Sequence, residues 1–414
     1  MKRIIKKVIA AVLSAAVMLT MSPAVLTAGA AEKSSKPKVW SGKSDTSWFD
    51  GKKDSYDIKN AEQLAGLAEI VNKGTDLAGI TFNLTSDIYL NSEKDIDNFA
   101  NWLDIQTKKN DVVPKNPPKN VWTPIGYSKS TTLRPFNGIF NGNGHTIKGM
   151  YAVGSKTTGS RAVGLFGYIY CAGISSVKLD HCVVYGNSSD TVYAGGIAGI
   201  SEGSVINKCC ADYTVVCART SDWYGLHEDA AGGIVGFAGT ENVNGILAAL
   251  AVEAILGAGG LIANPALFND GTSPIKESGI YNCMSYCNVF AIGELDTCAG
   301  GIIGDGQQGL VKNCFSDCNG LYSKHVKYDG TNKKGFIAGQ VFRCPLVNCY
   351  AYNRRKYTNV GGIGVIDYAL DVKITDNVVM VSRDALKKKS NIKKFGDAYT
   401  YDEQKQYPVL KCFA

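Results

Sequence analysis

The sequence predicts an all-β fold, a parallel β-helix, and three observations carry that reading. Two short signatures alternate without exception between residues 164 and 377. One is a glycine pair or doublet closed by an apolar residue and another glycine: Gly164-Leu165-Phe166-Gly167, Gly195-Gly196-Ile197-Ala198-Gly199, Gly232-Gly233-Ile234-Val235-Gly236, Gly300-Gly301-Ile302-Ile303-Gly304, Gly335-Phe336-Ile337-Ala338-Gly339 and Gly361-Gly362-Ile363-Gly364. The other is an aliphatic residue followed three places on by cysteine: Leu179/Cys182, Ile206/Cys209, Ile280/Cys283, Val311/Cys314 and Leu346/Cys349, with Ile374/Asn377 last. A repeat of roughly 27 to 37 residues made of two short apolar pieces is the mark of a solenoid whose coils bury one face against their neighbours.

The third observation is a period of two. Counting on from each cysteine gives a column Val184, Ala211, Ser285, Ser316, Ala351 and Val379, then another, Gly186, Tyr213, Cys287, Cys318, Asn353 and Val381. Period two means extended strand, and one residue class returning coil after coil means stacking in a narrow core. The cysteine segments are too short and too rich in Val, Ile, Tyr and Cys for helical repeats. The glycine doublets fall where the chain must turn sharply or approach another backbone closely.

Taken from the start, residues 1–30 read as a secretory signal peptide: Lys2, Arg3, Lys6 and Lys7, an apolar run from Val8 to Met21, and Ala28-Gly29-Ala30 as a cleavage site. Export is therefore expected, with no stable membrane span afterwards, and removal of the four basic residues lowers the formal +7 to about +3. Residues 31–55 form a polar lead-in holding Trp40 and Trp48. Residues 56–160 read as an N-terminal cap and first coils. There Asn60 and Gln63 make a capping box for a helix whose apolar face is Leu64, Leu67, Ala68 and Val71, ended by Gly74. Residues 161–382 carry the coils. Gly195 to Cys209, Gly300 to Cys314 and Gly335 to Cys349 are each 14 residues, whereas Gly232 to Cys283 is 51, so an insert of about 37 residues, 239–275, interrupts one coil. Its Ala- and Leu-rich run from Ile246 to Leu256 predicts a helical excursion on the outside of the coils, over the outward apolar residues Cys210, Met284, Phe315, Tyr350 and Val378. A basic segment, 383–414, closes the chain.

The chain has 13 cysteines and 4 histidines. Stacked strands hold parallel side chains about 4.8 Å apart, beyond the roughly 3.8 Å between Cβ atoms that a disulfide prefers, so the column cysteines are expected as free thiols. No Cys-x2-Cys pairs with another, and no phosphate loop, nucleotide fingerprint or Ser-His-Asp order stands out, so no metal, cofactor or nucleic-acid partner is expected.

The lead-in from Trp40 to Trp48, the run Ala61-Glu62-Gln63-Leu64-Ala65-Gly66-Leu67-Ala68, Trp122-Thr123-Pro124-Ile125-Gly126, Asn141-Gly142-Asn143-Gly144-His145-Thr146-Ile147, the Gly-Gly-Ile-x-Gly repeats and the closing Tyr407-Pro408-Val409-Leu410 together resemble bacterial extracellular proteins carrying the GLUG motif. The resemblance spans nearly the whole chain after residue 30. It implies a right-handed parallel β-helix on a secreted or surface-attached, adhesin-like protein.

Two surfaces are candidate sites. The outward row Tyr185, Asp212, Tyr286, Asp317 and Tyr352 alternates rings and carboxylates, which suits sugar rings and hydroxyls. Asp212 and Asp317 should lie two coils apart, roughly 9.6 Å by strand spacing, near the separation used by inverting glycosidases. The variable loops offer Trp223, Tyr224 and His227, then Tyr322 and His325. The expected partner is a glycan or cell-wall polymer bound without turnover. Two alternatives stay open: a polysaccharide lyase or hydrolase on the same scaffold, and a structural role with a protein partner held by residues 239–275.

Overall fold

Backbone pairing in this chain runs almost entirely in parallel. The computed structural model describes residues 37–92, 94–95, 117–129, 132–154, 161–188, 191–220, 228–239, 278–293, 296–325, 332–366 and 377–414, and Val39–Ala414 form one unit. The expected signal peptide, the insert from residue 240 to 275, Ile374, and Trp223, Tyr224 and His227 lie outside the described residues.

A single circuit shows how the sheets arise. From Tyr193–Gly195 the chain passes through Ala198–Glu202, Val205–Asn207 and Cys210–Thr220 before Glu228–Gly232 returns to pair in parallel with Tyr193–Gly195. The other three strands likewise pair with their counterparts one circuit back and one circuit on. Repetition builds sheets of eight, six, eleven and five strands, an all-β architecture of parallel sheets. Among the described residues antiparallel pairing is confined to two hairpins, Tyr127–Lys129 with Thr132–Arg134 and Tyr399–Asp402 with Tyr407–Leu410. Among the described residues no helix is long and apolar enough to cross a membrane.

The core follows from register. Ile174, Ile206, Ile280, Val311 and Leu346 are aligned partners in the eight-stranded sheet, each at most 4% exposed. Burying a side chain of this size contributes about 1.5–3 kcal/mol. Cys209, Cys283, Cys314 and Cys349 form the next column, at most 1% exposed. All 13 thiols are free, and each column Sγ faces the carbonyl of the aliphatic residue one circuit earlier, as Cys283 Sγ does Ile206 O at 3.8 Å. Cys182 is a correction to the sequence reading. Ile174 pairs with Ile206 and Leu179 with Ala211, so Val177 takes the column place in that circuit and Cys182 lies one step further, level with Thr214.

The corner before each column cysteine is left-handed: Ser176, Lys208, Asn282, Asn313 and Asn348 have φ between 51° and 54°. Asparagine is among the few non-glycine residues that adopt this conformation readily. The amides also link the circuits, with Asn282 Nδ2 donating to Asn207 Oδ1 at 2.9 Å, Asn313 to Asn282 at 3.1 Å and Asn348 to Asn313 at 2.7 Å. The glycine doublets answer to close approach: a Cβ on Gly301 would lie 2.0 Å from Phe336 O and 2.1 Å from Ser316 Oγ.

Helix α1 (Ala61–Asn72) behaves as the sequence predicts. Asn60 Oδ1 accepts from Gln63 N at 2.9 Å, Gln63 Oε1 accepts from Lys59 N at 2.8 Å, and Leu64, Leu67, Ala68 and Val71 join the core. At the other end Ser382 caps α2 (Arg383–Leu386), a 3-10 turn spans Lys389–Phe395, and the hairpin follows. Leu386, Phe395, Ala398, Tyr399 and Leu410 cover Cys210, Met284, Phe315 and Tyr350. Four of the five residues of the outward apolar row are thus covered by the C-terminal segment, in the place where the sequence reading put the insert, whereas Val378, level with Cys349, packs against the main core.

Gly301→Ala forces backbone apart at a stacked corner and should destabilise by about 3 kcal/mol, read as a fall in urea midpoint. Burial pushes the thiols of Cys182, Cys217, Cys318 and Cys344 up to about 12 from an ordinary 9.0. Since the folded state favours their protonated form, that contribution is intact below pH 9 and is lost as pH rises towards 12, so Tm should fall steeply as pH rises above 9. Native protein treated with iodoacetamide should be modified only at the half-exposed Cys171 and Cys412, and mass spectrometry finding column cysteines alkylated or bridged before unfolding would contradict the packing.

Candidate functional site

Where the C-terminal segment leaves the sheet face, a cleft of about 350 Å³ opens between them. Its sheet wall carries Asp212, Tyr213, Met284, Tyr286, Tyr352 and Arg354. The segment wall carries Arg383, Leu386, Lys387, Lys405, Gln406, Tyr407 and Val409. Three of the five residues in the predicted outward row, Asp212, Tyr286 and Tyr352, therefore meet in one concavity.

The other two do not line it. Asp317 is level with them in register but its side chain is fully buried. Arg354 grips it with a fork, Nε to Oδ1 at 3.1 Å and Nη2 to Oδ2 at 2.5 Å, and the Tyr407 hydroxyl donates to Oδ2. A carboxylate so engaged is not available as the second member of an acid–base pair with Asp212, so the inverting-glycosidase geometry fails on partners although the register is as expected. Tyr185 is 4% exposed in a separate cluster with Tyr151, Val183, Val215 and Cys217. The cause is the shift that moved Cys182: Asp180, and not Tyr185, pairs with Asp212. Tyr185 instead pairs with Cys217 further along the strand.

The rings of the sheet wall form a continuous stack across circuits. His181 lies on Tyr213 with centroids 4.9 Å apart and 16° between planes, Tyr213 meets Tyr286 edge-on at 4.8 Å, and Arg354 Cζ sits 4.9 Å from the Tyr286 ring and 5.7 Å from that of Tyr352. Tyr213 is the unusual member. The strand bulges between Asp212 and Thr214, so Thr214 takes the inward place opposite Cys287 that the sequence reading gave to Tyr213. Tyr213 is left with φ of 44° and 56% exposed. A tyrosine in that conformation costs about 1 kcal/mol or more, and its effect is to turn a large ring out to the cleft.

Electrostatics fix the protonation of the polar groups. Hydrogen bonds to Asp317 raise the Arg354 pKa further above its ordinary value, and burial, then the charge of Asp317, pushes the Tyr407 phenol well up, so it remains a donor. Burial also raises the Tyr286 phenol. Asp212 pairs with Lys178 at 2.9 Å, and Asp180 pairs with His181 at 2.6 Å and Lys148 at 3.3 Å.

The remaining predicted residues lie elsewhere. Tyr322 pairs with Phe290 across the strands, rings 6.2 Å apart, beside the cluster that holds Tyr185. His325 ends strand Gly320–His325, opposite Gly293. Conversely, sequence reasoning missed Tyr213, Arg354, Tyr407 and the cations of the segment. A signal for the last is present in the basic segment 383–414.

No protein-family model matches the chain, and no curated protein matches it. Among solved structures it resembles a crystal structure from Bacteroides ovatus described as a "putative immunoglobulin A1 protease", at 17% identity and a TM-score of 0.44, over 86% of this chain and 92% of that one. A likeness this loose assigns neither fold nor chemistry.

Proposed function

We propose that the chain is a right-handed parallel β-helix of the GLUG-motif kind, exported and adhesin-like, and that it binds a carbohydrate without turning it over, in the cleft under its C-terminal segment. The observation that carries this reading is the convergence of Tyr213, Tyr286, Tyr352 and Tyr407 with Asp212 in one concavity. Aromatic faces accept the apolar faces of sugar rings, and a few placed polar groups fix their hydroxyls. The circuit-by-circuit return of parallel strands supports the β-helix, since a helical path is the simplest way for four sheets to share one chain in that order.

The cleft exists only while the segment stays docked, and two polar anchors secure it. The Tyr407 hydroxyl reaches Asp317, and the Tyr399 hydroxyl lies 2.9 Å from both Cys283 O and Asn313 O. Breaking a fully buried ion pair costs about 3–5 kcal/mol. Because the Arg354 side chain is 30% exposed, Asp317→Asn should cost less, about 2–3 kcal/mol. The same variant should release the hairpin, seen as new proteolytic cleavage within residues 383–414 while the sheets stay protected.

The binding test is a glycan array followed by titration. Tyr213→Ala and Tyr286→Ala should each weaken a hit by about 1–2 kcal/mol, as truncating an aromatic contact does. If both are silent against every glycan, the cleft is ordinary surface. Cleavage of a polysaccharide panel, abolished by Asp212→Asn, would replace binding with catalysis.

A further inference from the structure

The two walls of the cleft differ in charge, and from this we propose that its ligand is an acidic saccharide: the sugar ring rests on Tyr213 and Tyr286, and its carboxylate, sulfate or phosphate is held by Arg383 and Lys387. The proposal rests on the carbohydrate reading above and adds the sign of the ligand's charge.

On the sheet wall each ionic group already has a partner. Asp212 is paired with Lys178 and Arg354 with Asp317, so that wall presents rings and a balanced set of charges. The segment wall is unbalanced. Lys405 pairs with Asp402 at 3.3 Å, an exposed contact that neutralises it weakly. Arg383 and Lys387 are exposed and form no ion pair among the described residues. Four residues apart on α2 and its C-cap, they project on one side of a single turn. Asp384 lies between them in sequence but does not line the cleft. Unpaired surface cations are usually just hydrated; here two of them converge with a third on a concavity floored by aromatic rings, where low-dielectric walls concentrate their field. A neutral sugar gains nothing from that field. A carboxylate, sulfate or phosphate gains a guanidinium fork from Arg383 and a point charge from Lys387.

The experiment is calorimetric titration of the full chain with matched oligosaccharides: oligogalacturonate against oligogalactose, a sulfated glycan against its desulfated form, and a glycosylated glycerol-phosphate polymer against its free sugar. The acidic member of a pair should bind about tenfold more tightly, a preference that shrinks as NaCl rises from about 50 to about 500 mM. The pair that shows the preference identifies the acidic group. Arg383→Gln with Lys387→Gln should abolish the preference, whereas Lys388→Gln with Lys394→Gln, exposed on the same segment but outside the cleft, should leave the preference and Tm unchanged. Equal binding of acidic and neutral members in every pair, still weakened by Tyr286→Ala, overturns the acidic assignment and keeps the carbohydrate reading. No saccharide binding at all removes both.

Discussion

Parallel backbone pairing holds successive circuits about 4.8 Å apart, and that one spacing governs what every position can be. Where corners touch backbone to backbone, as at Gly301, no side chain fits. Where the chain turns into the eleven-stranded sheet, asparagines take the left-handed conformation and donate an amide hydrogen to the circuit before. Inside, small thiols and branched aliphatics stack on their like. Outside, rings held at this interval must stack or tilt edge-on, and His181, Tyr213 and Tyr286 do both.

A sheet face by itself offers little concavity. The cleft arises because a separate segment, folded as short helical turns and a hairpin, docks on an apolar row that the sheet would otherwise expose to water. Its docking is mostly nonspecific burial. Asp317 supplies the specificity, joining one circuit to Arg354 and the segment to both through Tyr407. The residue that sequence reasoning placed in the ligand-binding row is therefore the pin of the site's architecture.

The parts legible in the sequence were those set by local period and residue class: the glycine corners, the inward cysteines, the capped helix and the row containing Asp212, Tyr286 and Tyr352. The failures were of register and of long-range docking. Leu179/Cys182 satisfies the same spacing as Ile206/Cys209, yet backbone pairing selects Ile174 and Val177, and a pattern cannot choose between two matches a few residues apart. The bulge at Tyr213 is one extra residue that a period-two count passes straight over. Nothing local in Arg354 or Tyr407 announces that each will meet Asp317.

The asparagine corners also bear on how such a chain can change length. Asn282, Asn313 and Asn348 share one conformation; each donates to the circuit before, and Asn282 and Asn313 each accept from the circuit after. The two seams that bound a circuit are consequently alike. A stretch such as that from Asn313 to Val347 could be duplicated and the new junction would still find a matching amide, aliphatic and thiol opposite it. Adding a whole circuit preserves that match, whereas insertion of a single residue at a corner breaks it. Selection on reach, or on the distance between the helical N-terminal end and the cleft, thus has a simple unit to act on.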